Sequence, residues 1–159
     1  MHNCGSDDEL QELANELGDT ATEYQKLAGT EWDVQNKTSA AIRAQFPDGK
    51  GGWNEATVVG SSGDGMSLGQ ISLARRKGHI AVEDNIEGLT HAEHNILLRI
   101  HQMGGRPIAG AASRSVCRPG PCGEMIRATA GRISGQVYSR ERGFKIRTFY
   151  WPGSRRCKC

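Results

Sequence analysis

Three side chains that commonly bind zinc stand in two short clusters of this sequence, and a carboxylate accompanies the first. One residue separates His91 from Glu93, and four residues separate Cys117 from Cys122. One imidazole and two thiolates are a ligand set typical of a catalytic zinc ion, which keeps a fourth position for water. A carboxylate beside such a site can take a proton from that water and pass it to a leaving nitrogen. The spacing therefore predicts a zinc site suited to hydrolytic deamination.

Two helices must bring these clusters together. From Thr90 to Gly104 the apolar residues recur at three- and four-residue steps, which predicts a helix that begins beside His91. A second helix is predicted from Pro119 to about Ala130, since proline is tolerated in a first turn. Both clusters then lie at helix N-termini, where the helix dipole favours thiolate over thiol.

The rest of the chain predicts an α/β sandwich with a mixed sheet. Further helices are predicted over residues 7–28 and 39–46, and strands over 55–60, 70–75, 107–112, 133–139 and 144–151, with a short apolar patch at 79–82. About five residues separate the last two strands, which is too few for a parallel crossover, so they are predicted to form an antiparallel hairpin. We divide the chain into an N-terminal helical extension, 1–49, and a domain with a basic C-terminal tail, 50–159. The acidic first helix is either a packing helix or a docking arm.

Size and composition narrow the class of protein. A chain of 159 residues is about one domain, and a mean hydropathy of -0.56 is typical of a globular chain rich in loops. No apolar run approaches the roughly 18 residues of a membrane span, and the first residues lack the pattern of a signal peptide. Five cysteines cannot all pair within one chain, so some of them must serve another purpose.

Charge is divided unevenly along the chain. The overall net charge of +2 combines -8 in residues 1–104 with +10 in residues 105–159. Clustered arginines bind phosphates, and affinity for nucleic acid grows with the number of phosphates neutralised. The basic last third therefore predicts a nucleic-acid partner; the alternative is that it pairs with the acidic half inside the fold.

At the clusters of residues 91–93 and 117–122 the chain resembles the zinc-dependent cytidine deaminase superfamily. The superfamily pattern is His or Cys, then Ala-Glu, followed some 23–28 residues later by Pro-Cys and a second Cys. Here His91-Ala92-Glu93 is followed by 23 residues before Cys117, with Cys122 beyond it. Val116 stands where the family usually has proline, and the gap between the cysteines is the longer variant. The resemblance covers roughly residues 50–151.

The resemblance implies a fold and a site. It implies a cytidine-deaminase-like three-layer sandwich around a five-stranded mixed sheet, with zinc held by His91, Cys117 and Cys122. It further implies that Glu93 shuttles the proton and that the backbone N–H of Ala92 holds the base carbonyl. The main chain near Ser115 would face the exocyclic amine, and the loop 112–115, with Arg114, would flank the pocket.

In the predicted antiparallel pairing of its last two strands, the chain resembles the free-nucleoside deaminases and the bacterial polymorphic-toxin deaminases. The basic last third favours the toxin branch, whose characterised members deaminate cytosine in DNA. We expect single-stranded DNA as the substrate, because an unpaired cytosine avoids the cost of unstacking. Such a domain would be secreted within a larger bacterial toxin, act in the cytoplasm of a recipient cell, and require an immunity protein as partner.

Several alternatives stay open at this point. Trp53 is the best candidate for stacking on a base, and Asn54 beside it either bonds a sugar or base or caps a turn. Double-stranded DNA, RNA or a free nucleoside are alternative substrates. A non-catalytic module held by zinc is the alternative outside enzymes, although structural zinc usually has four protein ligands.

Overall fold

The computed structural model describes residues 7–114, 121–138 and 145–154, and these ranges contain five helices and six strands. The helices are α1 (Asp7–Lys26), α2 (Glu31–Asn36), α3 (Leu68–Lys77), α4 (Ala92–Gln102) and α5 (Pro121–Ala128). The strands are β1 (Ser39–Pro47), β2 (Trp53–Ser61), β3 (Ile80–Ala81), β4 (Arg106–Ala112), β5 (Arg132–Tyr138) and β6 (Lys145–Tyr150). The predicted α/β class is confirmed.

The strands form one mixed sheet in the order β3-β2-β1-β4-β6-β5. Only β2 and β3 pair in parallel among the described strands, and every other neighbouring pair is antiparallel. The last two strands, β5 and β6, pair antiparallel as predicted. The expected count of five strands is wrong, because the sheet has six.

One strand that the sequence did not predict is β1, which covers the residues expected to form the helix over 39–46. β1 lies in the middle of the sheet between β2 and β4, and Ala40, Ala41 and Ile42 have no exposed surface. A strand buried on both faces shows no alternation of apolar and polar residues. A short run of small apolar residues then looks the same as part of a buried helix.

The predicted strand over 70–75 is also wrong, since these residues lie in α3. Ser67 and Gln70 form a reciprocal capping box at the start of this helix, each side chain accepting a bond from the other's backbone N–H. Gly78 ends the helix in the left-handed conformation, with φ of 70°. Both signals are visible in the sequence, and together they specify a helix between positions 67 and 78.

The helices cover both faces of the sheet and so build three layers. α1 and α3 pack on one face, where Leu10, Leu17 and Tyr24 are at most 2% exposed. α4 and α5 pack on the other face, where Ile96 and Ile126 are fully buried. The apolar side of α1 is therefore part of the core, as expected of a packing helix. None of the described helices combines the length and the apolar character needed to span a membrane.

Candidate metal centre

One edge of the sheet carries the candidate site. β1 begins at this edge and β2 and β4 end there; we call it the site edge and define it by Ser39, Ser61 and Ala112. The loop after β2 reaches the start of α4, because the backbone N–H of Gly63 donates to the carbonyl of Thr90 at 2.8 Å. α4 therefore begins beside the site edge and runs away from it.

His91 is the N-cap residue of α4, and its side chain does not cap the helix. Its backbone is extended, with φ of -82° and ψ of 131°, as at an ordinary N-cap. The N-cap residues of α2 and α3, Thr30 and Ser67, both use their side chains to bond their own helices. The imidazole of His91 is thus left to other interactions, at a position where a serine or threonine would stabilise the helix.

Glu93, Cys122 and His91 come together between the starts of α4 and α5. Glu93 is 3% exposed and Cys122 is fully buried. Burial is the largest influence on Glu93 and raises the pKa of its carboxyl, while its own backbone N–H, a hydrogen bond from the Cys122 thiol and the charge of His91 act to lower it. Glu93 and Cys122, which are 29 positions apart in the chain, are therefore in contact.

The two helix starts are held by the same core cluster. Ala92, the first residue of α4, is 1% exposed and belongs to the cluster that also contains Cys122. Ile96 and Ile126, one turn further along α4 and α5, are fully buried in it. Packing on one sheet face therefore fixes where the two N-termini lie.

The donor chemistry of the described part of the site fits zinc. An imidazole and a buried thiol are ligand types that zinc prefers, and Glu93 lies against the thiol. The third expected ligand, Cys117, and the predicted substrate contact Ser115 lie outside the described residues. Within the described ranges, no three His, Cys, Asp or Glu side chains form a group able to hold a metal ion.

Trp53 and Asn54 lie at the opposite edge of the sheet from the candidate site. Asn54 pairs with Phe46 at the start of β2, whereas Ser61 ends the strand. Trp53 is eight residue steps from Ser61, which corresponds to about 26 Å along the strand. The Arg106 guanidinium lies over the Trp53 ring, 4.0 Å from its centroid. The structure therefore does not bring these two predicted substrate contacts together with the motif.

Two buried or half-buried amides near the motif were not singled out from the sequence. Asn95 on α4 is 3% exposed, and Asn85 precedes the loop that leads to α4. The Asn85 amide donates to the carbonyls of Ser61 at 2.8 Å and Gly63 at 2.9 Å. For Asn95 the sequence offered one signal, since an asparagine side chain inside a predicted helix usually competes with the backbone for hydrogen bonds.

At least one basic residue of the last third of the chain forms an ion pair within the fold, and others lie at the site edge. Arg132 of β5 pairs with Asp7 of α1 at 2.9 Å, so some of this charge is used within the fold. Arg147 of β6 pairs in register with Ala112, and Arg114 follows Ala112 by two residues. The site edge therefore carries at least two arginines close to the end of β4.

No protein-family model, curated protein or solved structure matches this chain.

Proposed function

We propose that this protein is a zinc-dependent enzyme that hydrolytically deaminates cytosine to uracil in nucleic acid, with single-stranded DNA as its preferred substrate. The observation that carries the proposal is the buried contact between Glu93 and Cys122, with His91 beside it. An acid that is 3% exposed is unusual unless it is paired or functional, and here it touches a thiol from a second helix. Both residues occupy the positions that the deaminase motif assigns to the acid and to a ligand.

His91, Cys117 and Cys122 would hold the zinc ion in this proposal. When bound, zinc supplies a water molecule acidic enough to serve as a nucleophile near neutral pH. Glu93 accepts the proton of that water and returns protons to the base nitrogen and the leaving amine. The bond from C4 of cytosine to its exocyclic nitrogen breaks, a bond from C4 to oxygen forms, and ammonia leaves. Burial around Glu93 supports this role, because a carboxyl with a raised pKa exchanges protons more readily near neutral pH.

The charge at the site edge supports nucleic acid over a free nucleoside. Arg114 and Arg147 lie close to the end of β4, within the third of the chain that carries +10. A guanidinium binds phosphate oxygens in pairs, and a small nucleoside has no phosphate to bind. A single strand presents its bases without the cost of unstacking.

The antiparallel pairing of β5 and β6 is compatible with both the free-nucleoside and the toxin branch, and the charge of +10 in residues 105–159 favours the toxin branch. In this proposal the domain is delivered by a larger secreted bacterial protein and acts in the cytoplasm of a recipient cell. The producing cell then needs an immunity protein that blocks the enzyme.

The test is deamination of defined substrates by the zinc-loaded protein. Single-stranded and double-stranded oligonucleotides, RNA and cytidine, each with one labelled cytosine, are incubated with the protein, and uracil is detected by excision and strand cleavage or by chromatography. We expect uracil to form fastest in single-stranded DNA and Glu93→Gln to abolish it. Binding to DNA should weaken steeply as salt concentration rises.

Glu124 offers a matched control for Glu93. It lies two residues after Cys122 in the first turn of α5, as Glu93 lies two residues after His91, but its side chain is exposed. Glu124→Gln should retain full activity. Equal activity of Glu93→Gln and wild type would refute the enzymatic proposal, and zinc binding without deamination of any substrate would favour a non-catalytic zinc module.

A further inference from the structure

The segment that leads into α4 is neither helix nor strand, and one buried side chain binds its backbone at three places. Residues 86–91 connect the loop after β3 to the first turn of α4. These residues are exposed or half-buried, so their backbone groups bond either to water or to the rest of the protein. Asn95, on the second turn of α4, supplies three of these partners.

The contacts of Asn95 form a clamp. Its Nδ2 donates to the carbonyl of Leu89 at 2.7 Å and to the carbonyl of His91 at 2.9 Å. Its Oδ1 accepts from the backbone N–H of Ile86 at 2.9 Å. Asn95 is 3% exposed, and all three bonds are partly buried. Three hydrogen bonds to one amide fix the path of the chain from Ile86 to His91.

The clamp acts at the start of a helix whose N-cap residue makes no side-chain cap. Thr30 and Ser67 cap their own helices, whereas His91 makes no such bond with its side chain. A histidine that capped α4 would turn its imidazole toward the helix backbone, away from Cys122. Asn95 instead holds the backbone of His91 from inside the helix, so the N-cap position can carry a ligand.

We propose that Asn95 is a positioning residue for the metal centre, which holds the backbone of His91 so that its imidazole, together with Glu93 two residues later, faces Cys122. This inference rests on the proposed function, since it assigns His91 the role of a zinc ligand. Asn95 touches neither metal nor substrate in this role. Loss of a group that orients a ligand typically weakens metal affinity about 10–100-fold.

The test measures zinc affinity of the full chain by competition with a chromogenic chelator. Asn95→Ala removes all three bonds, and we expect it to bind zinc about 10–100-fold more weakly than wild type. Asn95→Ser keeps a hydroxyl that can donate to the carbonyl of His91, four residues earlier. Its zinc affinity should therefore lie between those of wild type and Asn95→Ala. Circular dichroism of each variant, recorded with and without zinc, checks that the fold is retained.

Gln45→Ala is the matched control, because Gln45 is also a buried amide but lies near the opposite edge of the sheet. It is 4% exposed and accepts a hydrogen bond from Arg106 at 3.1 Å. Its zinc affinity should equal that of wild type. If Asn95→Ala and Asn95→Ser bind zinc as tightly as Gln45→Ala, the inference is overturned; if Asn95→Ala does not fold, Asn95→Ser alone decides by the same comparison.

The two proposals fail in different ways. A wild-type chain that binds no zinc overturns the proposed function and this inference together. A chain whose zinc affinity depends on Asn95 but which deaminates no substrate overturns the proposed function alone and supports the positioning role.

Discussion

Gln25 of α1 joins three segments at the site edge, and its replacement should be among the most damaging single changes in the chain. Its side chain is fully buried. Its Nε2 donates to the carbonyls of Val34 at 2.7 Å and Lys37 at 2.6 Å. Its Oε1 accepts from the hydroxyls of Ser39 at 2.8 Å and Ser113 at 3.2 Å. One amide thus ties α1 and α2 to the start of β1 and the end of β4.

Gln25→Leu keeps most of the volume and removes every one of these bonds. The carbonyls of Val34 and Lys37 lose a buried donor, and a buried polar group without a partner costs about 1–3 kcal/mol. The two serine hydroxyls lose an acceptor but still accept bonds, Ser39 from Gln70 and Ser113 from the Ser39 N–H, so they add less. We expect the free energy of unfolding to fall by about 2–6 kcal/mol, a large share of the 5–15 kcal/mol typical of a domain.

Urea unfolding followed by tryptophan fluorescence measures this loss, with zinc removed by a chelator so that metal binding does not contribute. Gln45→Leu is the control, because it removes a single described side-chain bond, to Arg106, and should cost about 1 kcal/mol. A loss for Gln25→Leu no larger than that of the control would show that the network carries little of the stability, and it would refute the assignment of Gln25 as its centre.

Two further predictions concern pH and capping. Burial raises the pKa of Tyr24 from its ordinary value of 10.0 to about 12, so the stability of the wild type should be intact below pH 10 and fall as pH approaches 12. Tyr24→Phe cannot ionise, so unfolding curves in this range should show the wild type losing about 1–2 kcal/mol more than the variant, after allowance for solvent screening; parallel losses would contradict the assignment. His91→Ser should raise the free energy of unfolding of the metal-free protein by about 0.5–1 kcal/mol, as expected for a restored N-cap, and should abolish zinc binding. Thermal melts and zinc titration check both effects, and a destabilised metal-free variant would show that the imidazole supports the fold without metal.

Helices and strands could be predicted correctly where a sequence pattern is compatible with only one type of element. The periodicity of α1 and α4, and the short gap between β5 and β6, led to elements that the structure contains. β1 was missed because burial on both faces removes the alternation that identifies a strand. α3 was missed because the apolar spacing of Ile71 and Leu73 was given more weight than the capping signals at Ser67 and Gly78.

The candidate site was predictable to the extent that its residues lie in a local motif. The contact between Glu93 and Cys122 could be expected from the sequence, since both residues lie at predicted helix starts. Which end of β2 faces the site depends on how the strand pairs, and no local pattern gives that direction; Trp53 was therefore linked to a site from which it is about eight residue steps away. The role of Asn95 depends on the path of the loop before α4, which the sequence does not specify.

The uncapped start of α4 has a consequence for anyone who engineers this protein. Libraries sorted only for thermal tolerance or expression would enrich Ser, Thr or Asp at position 91, because these residues cap a helix better than histidine does. With His91 as a zinc ligand, as proposed above, such variants would be well folded but unable to bind zinc. A selection for stable variants of this chain should therefore also measure bound zinc before the variants are ranked.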